Sequence, residues 1–246
     1  MMEPGNKVSV AESFSRFFSV ALADQAEQKD LVYRIRYRVY CEEFKYESTD
    51  HFPDQMEMDD YDKSSLHCLI THKESGMPAG CVRLVPADGD RMTSPLPFER
   101  YCSESLNVEM IDAMKLDRHS VCEISRLAVD GAFRRRSGET LTRFGEINGF
   151  QFSPQEQRTF SSIAVACFFA ATVLTEMVEK TNVFAMMEPF LPRMMGKSGI
   201  HFQRVGKDID YHGIRAPYFI TTQSALENMH PELKELYQWI RANIYK

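Results

Sequence analysis

The sequence lacks a Walker-type phosphate loop, a Gly-x-Gly-x-x-Gly fingerprint, a His-Glu-x-x-His pair and a Gly-x-Ser-x-Gly elbow. Nucleotide-driven motors, dinucleotide dehydrogenases, zinc-helix proteases and nucleophile-elbow hydrolases lose their simplest signatures with these. Basic excess is missing too: the formal net charge is −6, against the strongly basic footprint of a nucleic-acid binder. The seven histidines are not spaced as a local metal set, so no metal site is expected. Six cysteines (Cys41, Cys68, Cys81, Cys102, Cys122, Cys167) form no Cys-x-x-Cys pair, and four lie in apolar or strand-like runs. That pattern suits reduced thiols buried as small hydrophobes. The most apolar stretch, Ile163 to Thr175, is too short to span a bilayer and runs into Glu176. The N-terminus has no basic region followed by an apolar core, so a cytoplasmic location is expected, with peripheral membrane contact left open.

What is present fits one α/β domain over residues 1–246, with a loose N-terminus and a proline-bearing insertion around 86–116. Apolar residues at 43% suffice for a substantial core in 246 residues. Helical spacing of Phe14, Phe17, Phe18 and Ala21 suggests a short helix over Ser13–Ala23. A second helix runs from Leu31 to about Glu43, with Leu31, Ile35 and Val39 as its inner stripe and Arg36 and Tyr40 one turn apart. Phe44 to Asp62 has no period and ends in the acidic EMDDYD, either a lid or a surface excursion. Strands are expected at Ser65–His72, Pro78–Val85 and Asn182–Met187, with late ones at Phe202–Val205 and Tyr218–Thr222. Helices are expected at Phe160–Thr181, Pro189–Lys197 and Pro231–Ile244.

The stretch Val121–Val129 organises the rest. It reads as a central strand bordered by apolar residues, yet it holds Glu123, Ser125 and Arg126. Opposite charges there are either an acid–base site or a buried ion pair kept as structure. In a regular strand Glu123 and Arg126 face opposite sides, and one bulged residue would let both address one cleft. The following GAFRRRSGET is a basic, glycine-containing turn suited to an anion. Phe168, Phe169, Met177, Phe184, Met186 and Met187 are either ordinary core or the lining of an apolar tunnel.

Four blocks in this order, VYRIRYRVYCEEFKYE, EMDDYD, GCVRLVP and VCEISRLAV with FRRRSGET, resemble the acyl-homoserine-lactone synthases and their relatives. Those relatives include long-chain N-acyl amino acid synthases and the acyltransferases associated with exosortase and PEP-CTERM systems. The last branch is the most similar, through NVFAMMEPFLPRMM and YHGIRAPYF. The resemblance implies a GNAT-like fold, a mixed twisted sheet flanked by helices. It also implies transfer of a fatty acyl group from an acyl carrier protein or coenzyme A thioester to a small amine such as an amino acid, with no resident cofactor. The alternatives are O-acyl transfer, or a degenerate acyl-binding scaffold. Arg36, Tyr40, Asp59, Asp62 and Arg83 match the family's ion network, and Glu123, Ser125 and Arg126 its glutamate-x-serine-arginine signature. Tyr46 stands where lactone synthases keep a tryptophan, so lactone synthesis is not expected. The donor is expected along Leu127 and Val129 and on Arg134, Arg135, Arg136, Gly138 and Thr140, a degenerate pyrophosphate loop. The three arginines also suit an acidic carrier protein.

Overall fold

The structure is a computed structural model and describes residues 8–134 and 152–246. Helix α1 (Val10–Phe17) starts on a capping box, in which Ser9 and Glu12 each take the other's backbone N–H. The helix expected over Ser13–Ala23 is instead divided, because the chain turns at Phe18 into strand β1 (Phe18–Leu22). Phe18 and Val20 alternate inward there, and Phe18 to Leu22 pair with the second strand, a partnership local periodicity does not encode. Helix α2 (Ala26–Arg36) continues as one wide π-helical stretch, Tyr37–Glu43. Its inner face is Val32, Ile35 and Val39, whereas Leu31, expected inside, is exposed.

Strands β2 (Leu66–His72) and β3 (Pro78–Pro86) form a hairpin. The proline-bearing insertion at 86–116 holds α3 (Pro97–Tyr101) and α4 (Val108–Ala113). Leu96 and Phe98 are buried, and Phe98 stacks on Phe184 at 4.9 Å between centroids. Apolar anchors outweigh the polar composition of that stretch. Strand β4 (Val121–Val129) follows, then α5 (Pro154–Thr159), α6 (Ser161–Met177), β5 (Asn182–Met187), α7 (Phe190–Gly196), β6 (Gln203–Arg204), β7 (Ile209–Asp210), β8 (Ile214–Thr221), α8 (Thr222–Glu227) and α9 (Pro231–Ile244).

The strands make one sheet in the order β1-β2-β3-β4-β5-β8-β6, with β7 pairing to β8. Among the described residues only the β4–β5 pair is parallel. Buried α6 lies on the sheet so closely that a Cβ at Gly80 would come within 2.9 Å of Ile163. All six cysteines are buried free thiols, and burial pushes the Cys81 thiol up to about 12. No helix among the described residues is long and apolar enough to cross a membrane.

The functional consequence lies in the middle of the sheet. β4 pairs with β5 only over Val121–Glu123 against Asn182–Phe184. Beyond Glu123 the two strands part, leaving one edge of β4 facing a cleft.

Candidate active site

Beneath the cleft lies a charge-balanced network. Arg36, wholly buried, donates to both oxygens of Asp62 at 2.7 and 3.0 Å and through Nε to Glu57. Arg83, equally buried, donates to Asp59 at 2.7 Å and Asp62 at 2.9 Å, and its Nε reaches Ser125 Oγ at 3.1 Å. Arg126 donates to Glu57 at 3.1 Å and Asp59 at 3.4 Å. Three guanidiniums therefore meet three carboxylates, the condition under which buried ions are tolerated. Burial works to raise the Asp62 carboxyl, but the Arg36 and Arg83 charges outweigh it and hold it far below the usual range. Arg36 thus has its guanidinium engaged by Glu57 and Asp62, and it pins the acidic loop rather than facing a pocket. Glu57 bridges two of the arginines and was not singled out by sequence; its signal is membership of the acidic run.

Strand β4 is bulged at its centre. Arg83 faces Ser125 and Cys81 faces Ala128, so the single residue Val82 opposes both Arg126 and Leu127. Arg126 adopts φ +51°, a left-handed conformation that costs a non-glycine residue about 1–2 kcal/mol. Tyr40 holds the kink by donating its hydroxyl to the Leu127 carbonyl at 2.8 Å, with the Arg126 guanidinium 5.6 Å from its ring centroid. Burial pushes the Tyr40 phenol up to about 12, so it remains a donor. The bulge turns Arg126 into the cavity that Glu123 and Ser125 also line.

Glu123 is 3% exposed, and one oxygen accepts the Phe98 N–H at 2.8 Å. Burial pushes its carboxyl up to about 7, outweighing the Phe98 N–H and the Arg83 and Arg126 charges that lower it. Tyr46 closes one wall, stacked on Phe44 at 5.2 Å. Tyr211, His212 and Arg215, from the β7–β8 turn and the start of β8, close another. Sequence reading did not single out these three, although they fall in YHGIRAPYF.

A second, open cavity of about 290 Å³ shares Tyr40, Tyr46, Ser125, Arg126, Met186 and Arg215 with the first and extends between β4 and β5. Its walls are mostly apolar and include Leu127, Val129, Phe168 and Met187. Through Ile124, Phe168 and Ala185 it adjoins a third, small apolar cavity of about 40 Å³ bounded by α6 and the sheet. Of the six expected tunnel residues, Phe168, Met186 and Met187 line this system. Phe169, Met177 and Phe184 do not. Phe169 meets Tyr237 edge-on, Met177 packs half-buried against the main core, and Phe184 stacks on Phe98. Arg134 donates to the Val129 carbonyl at 2.7 Å, pairs with Glu43 and lies 4.8 Å from the Phe44 ring centroid. Arg135, Arg136, Gly138 and Thr140 lie outside the described residues. No group of three metal-ligating side chains occurs among the described residues.

Residues 35–143 match the acetyltransferase (GNAT) domain. The fold is GNAT-like, a mixed twisted sheet flanked by helices. Among solved structures, TofI in a ternary complex with an inhibitor and MTA superposes with a TM-score of 0.59 at 20% identity, over 88% of this chain and 99% of that one. FeeM, an N-acyl amino acid synthase from uncultured soil microbes, gives 0.55 at 11% identity, over 86% and 94%. BjaI, a CoA-dependent acyl-homoserine lactone synthase with SAM and isopentyl-CoA, gives 0.53 at 16%, over 89% of each chain. No curated protein sequence matches the chain.

Proposed function

We propose that the protein moves a fatty acyl group from a thioester, of acyl carrier protein or coenzyme A, to the amine of a small acceptor such as an amino acid. The observation that carries this reading is Glu123: a buried carboxyl tuned to about 7, at the point where a polar pocket opens into a long apolar cavity. A base must lie near the working pH to take a proton and give it back.

The acceptor enters as an ammonium, and Glu123 takes one proton from it, directly or through a water. The freed amine attacks the thioester carbonyl carbon, forming the C–N bond and a tetrahedral oxyanion. Backbone N–H groups near the bulge at Arg126 and Leu127, beyond the last β4–β5 pair at Glu123, supply its donors. Collapse breaks the C–S bond. The nitrogen's second proton passes to the departing thiolate, and Glu123 returns its own proton to solvent. The network of Arg36, Arg83 and Arg126 with Glu57, Asp59 and Asp62 holds Ser125 and the bulge in place without touching the reacting atoms. The apolar cavities take the acyl chain, and FeeM and BjaI, whose names state acyl-transfer activities, support the reading by fold.

The test is direct. Purified protein is given dodecanoyl thioesters of acyl carrier protein and of coenzyme A, with a panel of amines and alcohols. Thiol release and product mass are recorded. An amide product is expected; an ester would convert the reading to O-acyl transfer. Thiol release from neither donor with any acceptor would leave the acyl-binding scaffold of an exosortase-type system as the better account.

A further inference from the structure

We propose that Arg215 receives a carboxylate of the acceptor, which makes the acceptor an amino acid or another amine bearing an acid group. The inference rests on the acyl-transfer reading above and deepens it.

The charges around the pocket lead to this residue. Arg36, Arg83 and Arg126 are neutralised by Glu57, Asp59 and Asp62. Glu47, on the pocket wall, is 3.4 Å from His212. Arg215 lines the same wall but forms no salt bridge among the described residues, and its Nε is buried without a hydrogen-bond partner. Its guanidinium carbon stands 5.5 Å from the centroid of the Tyr46 ring, an arrangement that keeps an arginine in place without cancelling its charge. A half-buried guanidinium is best satisfied by a planar anion bound through two N–H groups. Among the described residues no carboxylate forms a salt bridge with it, Glu47 on the same wall being directed to His212.

Two sources of an anion would reach this wall: the acceptor's carboxylate and the donor's phosphate. Spacing favours the acceptor. A phosphopantetheine donor separates its phosphate from the thioester by two amide units. An α-amino acid separates its amine from its carboxylate by a single carbon. Arg215 shares a small pocket with Glu123, the group that meets the amine, so it matches the short spacing. The expected donor-phosphate side, beyond Val129 at Arg134, is at the other end of β4 from Glu123.

The experiment compares matched pairs with a dodecanoyl thioester donor: L-phenylalanine with phenethylamine, and L-leucine with isopentylamine. The unmodified enzyme should prefer the acid-bearing member at least tenfold in kcat/KM. Arg215→Gln should reduce that preference by about tenfold to one hundredfold, chiefly through KM, as expected for loss of a charge-assisted hydrogen-bonded pair. Arg215→Lys, which keeps the charge but not the fork, should restore part of it and also serves if the glutamine variant does not fold. Equal use of both members by the unmodified enzyme overturns the proposal, as does an equal loss on both members in Arg215→Gln, which would assign the arginine to the donor. Absence of thiol release with every acceptor is a different result: it removes the acyl-transfer reading, and this proposal with it.

Discussion

Tyr40 donates its hydroxyl to the carbonyl oxygen of Leu127 at 2.8 Å, tying the π-helical stretch after α2 to the bulge of the central strand. The contact joins residues 87 positions apart at the site where β4 leaves its regular path. Tyr40→Phe removes the donor and leaves the ring beneath Arg126. The expected outcome is a stability loss of about 1 kcal/mol, the ordinary worth of one hydrogen bond. A fall in kcat with little change in KM should accompany it, because the bulge positions the oxyanion donors. Urea melts and steady-state kinetics check the two effects; an unchanged kcat would detach the bulge from the chemistry.

Glu123→Gln should fold and lose acyl transfer by about one hundredfold or more, the scale of a positioned acid–base group. In the unmodified enzyme, kcat should rise with pH through about 7 as the carboxyl ionises, and the glutamine variant should lack that limb. Stability moves the opposite way. The folded carboxyl holds its proton more tightly than the unfolded one, so its contribution is full below the ordinary glutamate range and lost as pH rises through about 7. Thermal melts at pH 5 and pH 8 should therefore show the variant gaining on the parent at the higher pH.

Asp62→Asn strikes the network where two buried arginines converge on one carboxylate. Removing one member of a buried ion pair typically costs about 3–5 kcal/mol, since the partner charges stay desolvated. Because the Asp62 carboxyl is held low, its contribution is present above the ordinary aspartate range and lost as pH falls below it. Denaturant titrations at pH 7 and pH 3 should show the gap between parent and variant narrowing in acid. A gap that stays constant would mean that Asp62 is not the group that titrates.

The elements legible in the sequence are those that carry their own boundaries. Val121–Val129 stops at Asp130-Gly131, Asn182–Met187 is a short β-branched and apolar run, and α9 opens on Pro231; each begins and ends where its composition says. β1 is different, because FFSVAL fits a helical or a strand period and only pairing with β2 decides it. The bulge is legible for a chemical reason, namely that Glu123 and Arg126 cannot share a cleft in a regular strand. Glu57 and Arg215 are not, because their importance comes from what is absent or present around them in space. Glu57 matters because Arg36 and Arg126 flank it, and Arg215 because it forms no salt bridge among the described residues and its Nε has no hydrogen-bond partner. Phe168 and Phe169 make the same point at neighbouring positions, one on the cavity and the other in closed core.

The joined apolar cavities should make the enzyme prefer long acyl donors. Each buried methylene contributes about 0.8 kcal/mol until the space is filled. A series of thioesters from acetyl upward should show kcat/KM climbing and then levelling. Ala185 lines the junction of the second and third cavities, so Ala185→Leu should move the plateau to shorter chains. Equal turnover of acetyl and dodecanoyl donors would remove the acyl-tunnel assignment.

The donor's carrier decides the partner. Arg134 stands just beyond β4 beside Glu43 and over Phe44, with Arg135 and Arg136 following in sequence. Three adjacent arginines on a chain of net charge −6 exceed what one pantetheine phosphate needs, and they suit the acidic surface of an acyl carrier protein. Arg134 also has a structural duty, its hydrogen bond to the Val129 carbonyl, so Arg136→Glu serves as the cleaner single change and Arg134→Glu with Arg136→Glu as the stronger one. Both should lower kcat/KM for the acyl carrier protein and flatten its dependence on salt, while sparing kcat at saturating donor. Acyl-coenzyme A turnover should be low in the unmodified enzyme and barely respond to salt. BjaI, a CoA-dependent synthase by its name, shows that the same fold accommodates the other donor. Efficient use of acyl-coenzyme A across a salt titration would therefore make the loop a working pyrophosphate site and assign the arginines to the cofactor's phosphates instead of to a protein surface.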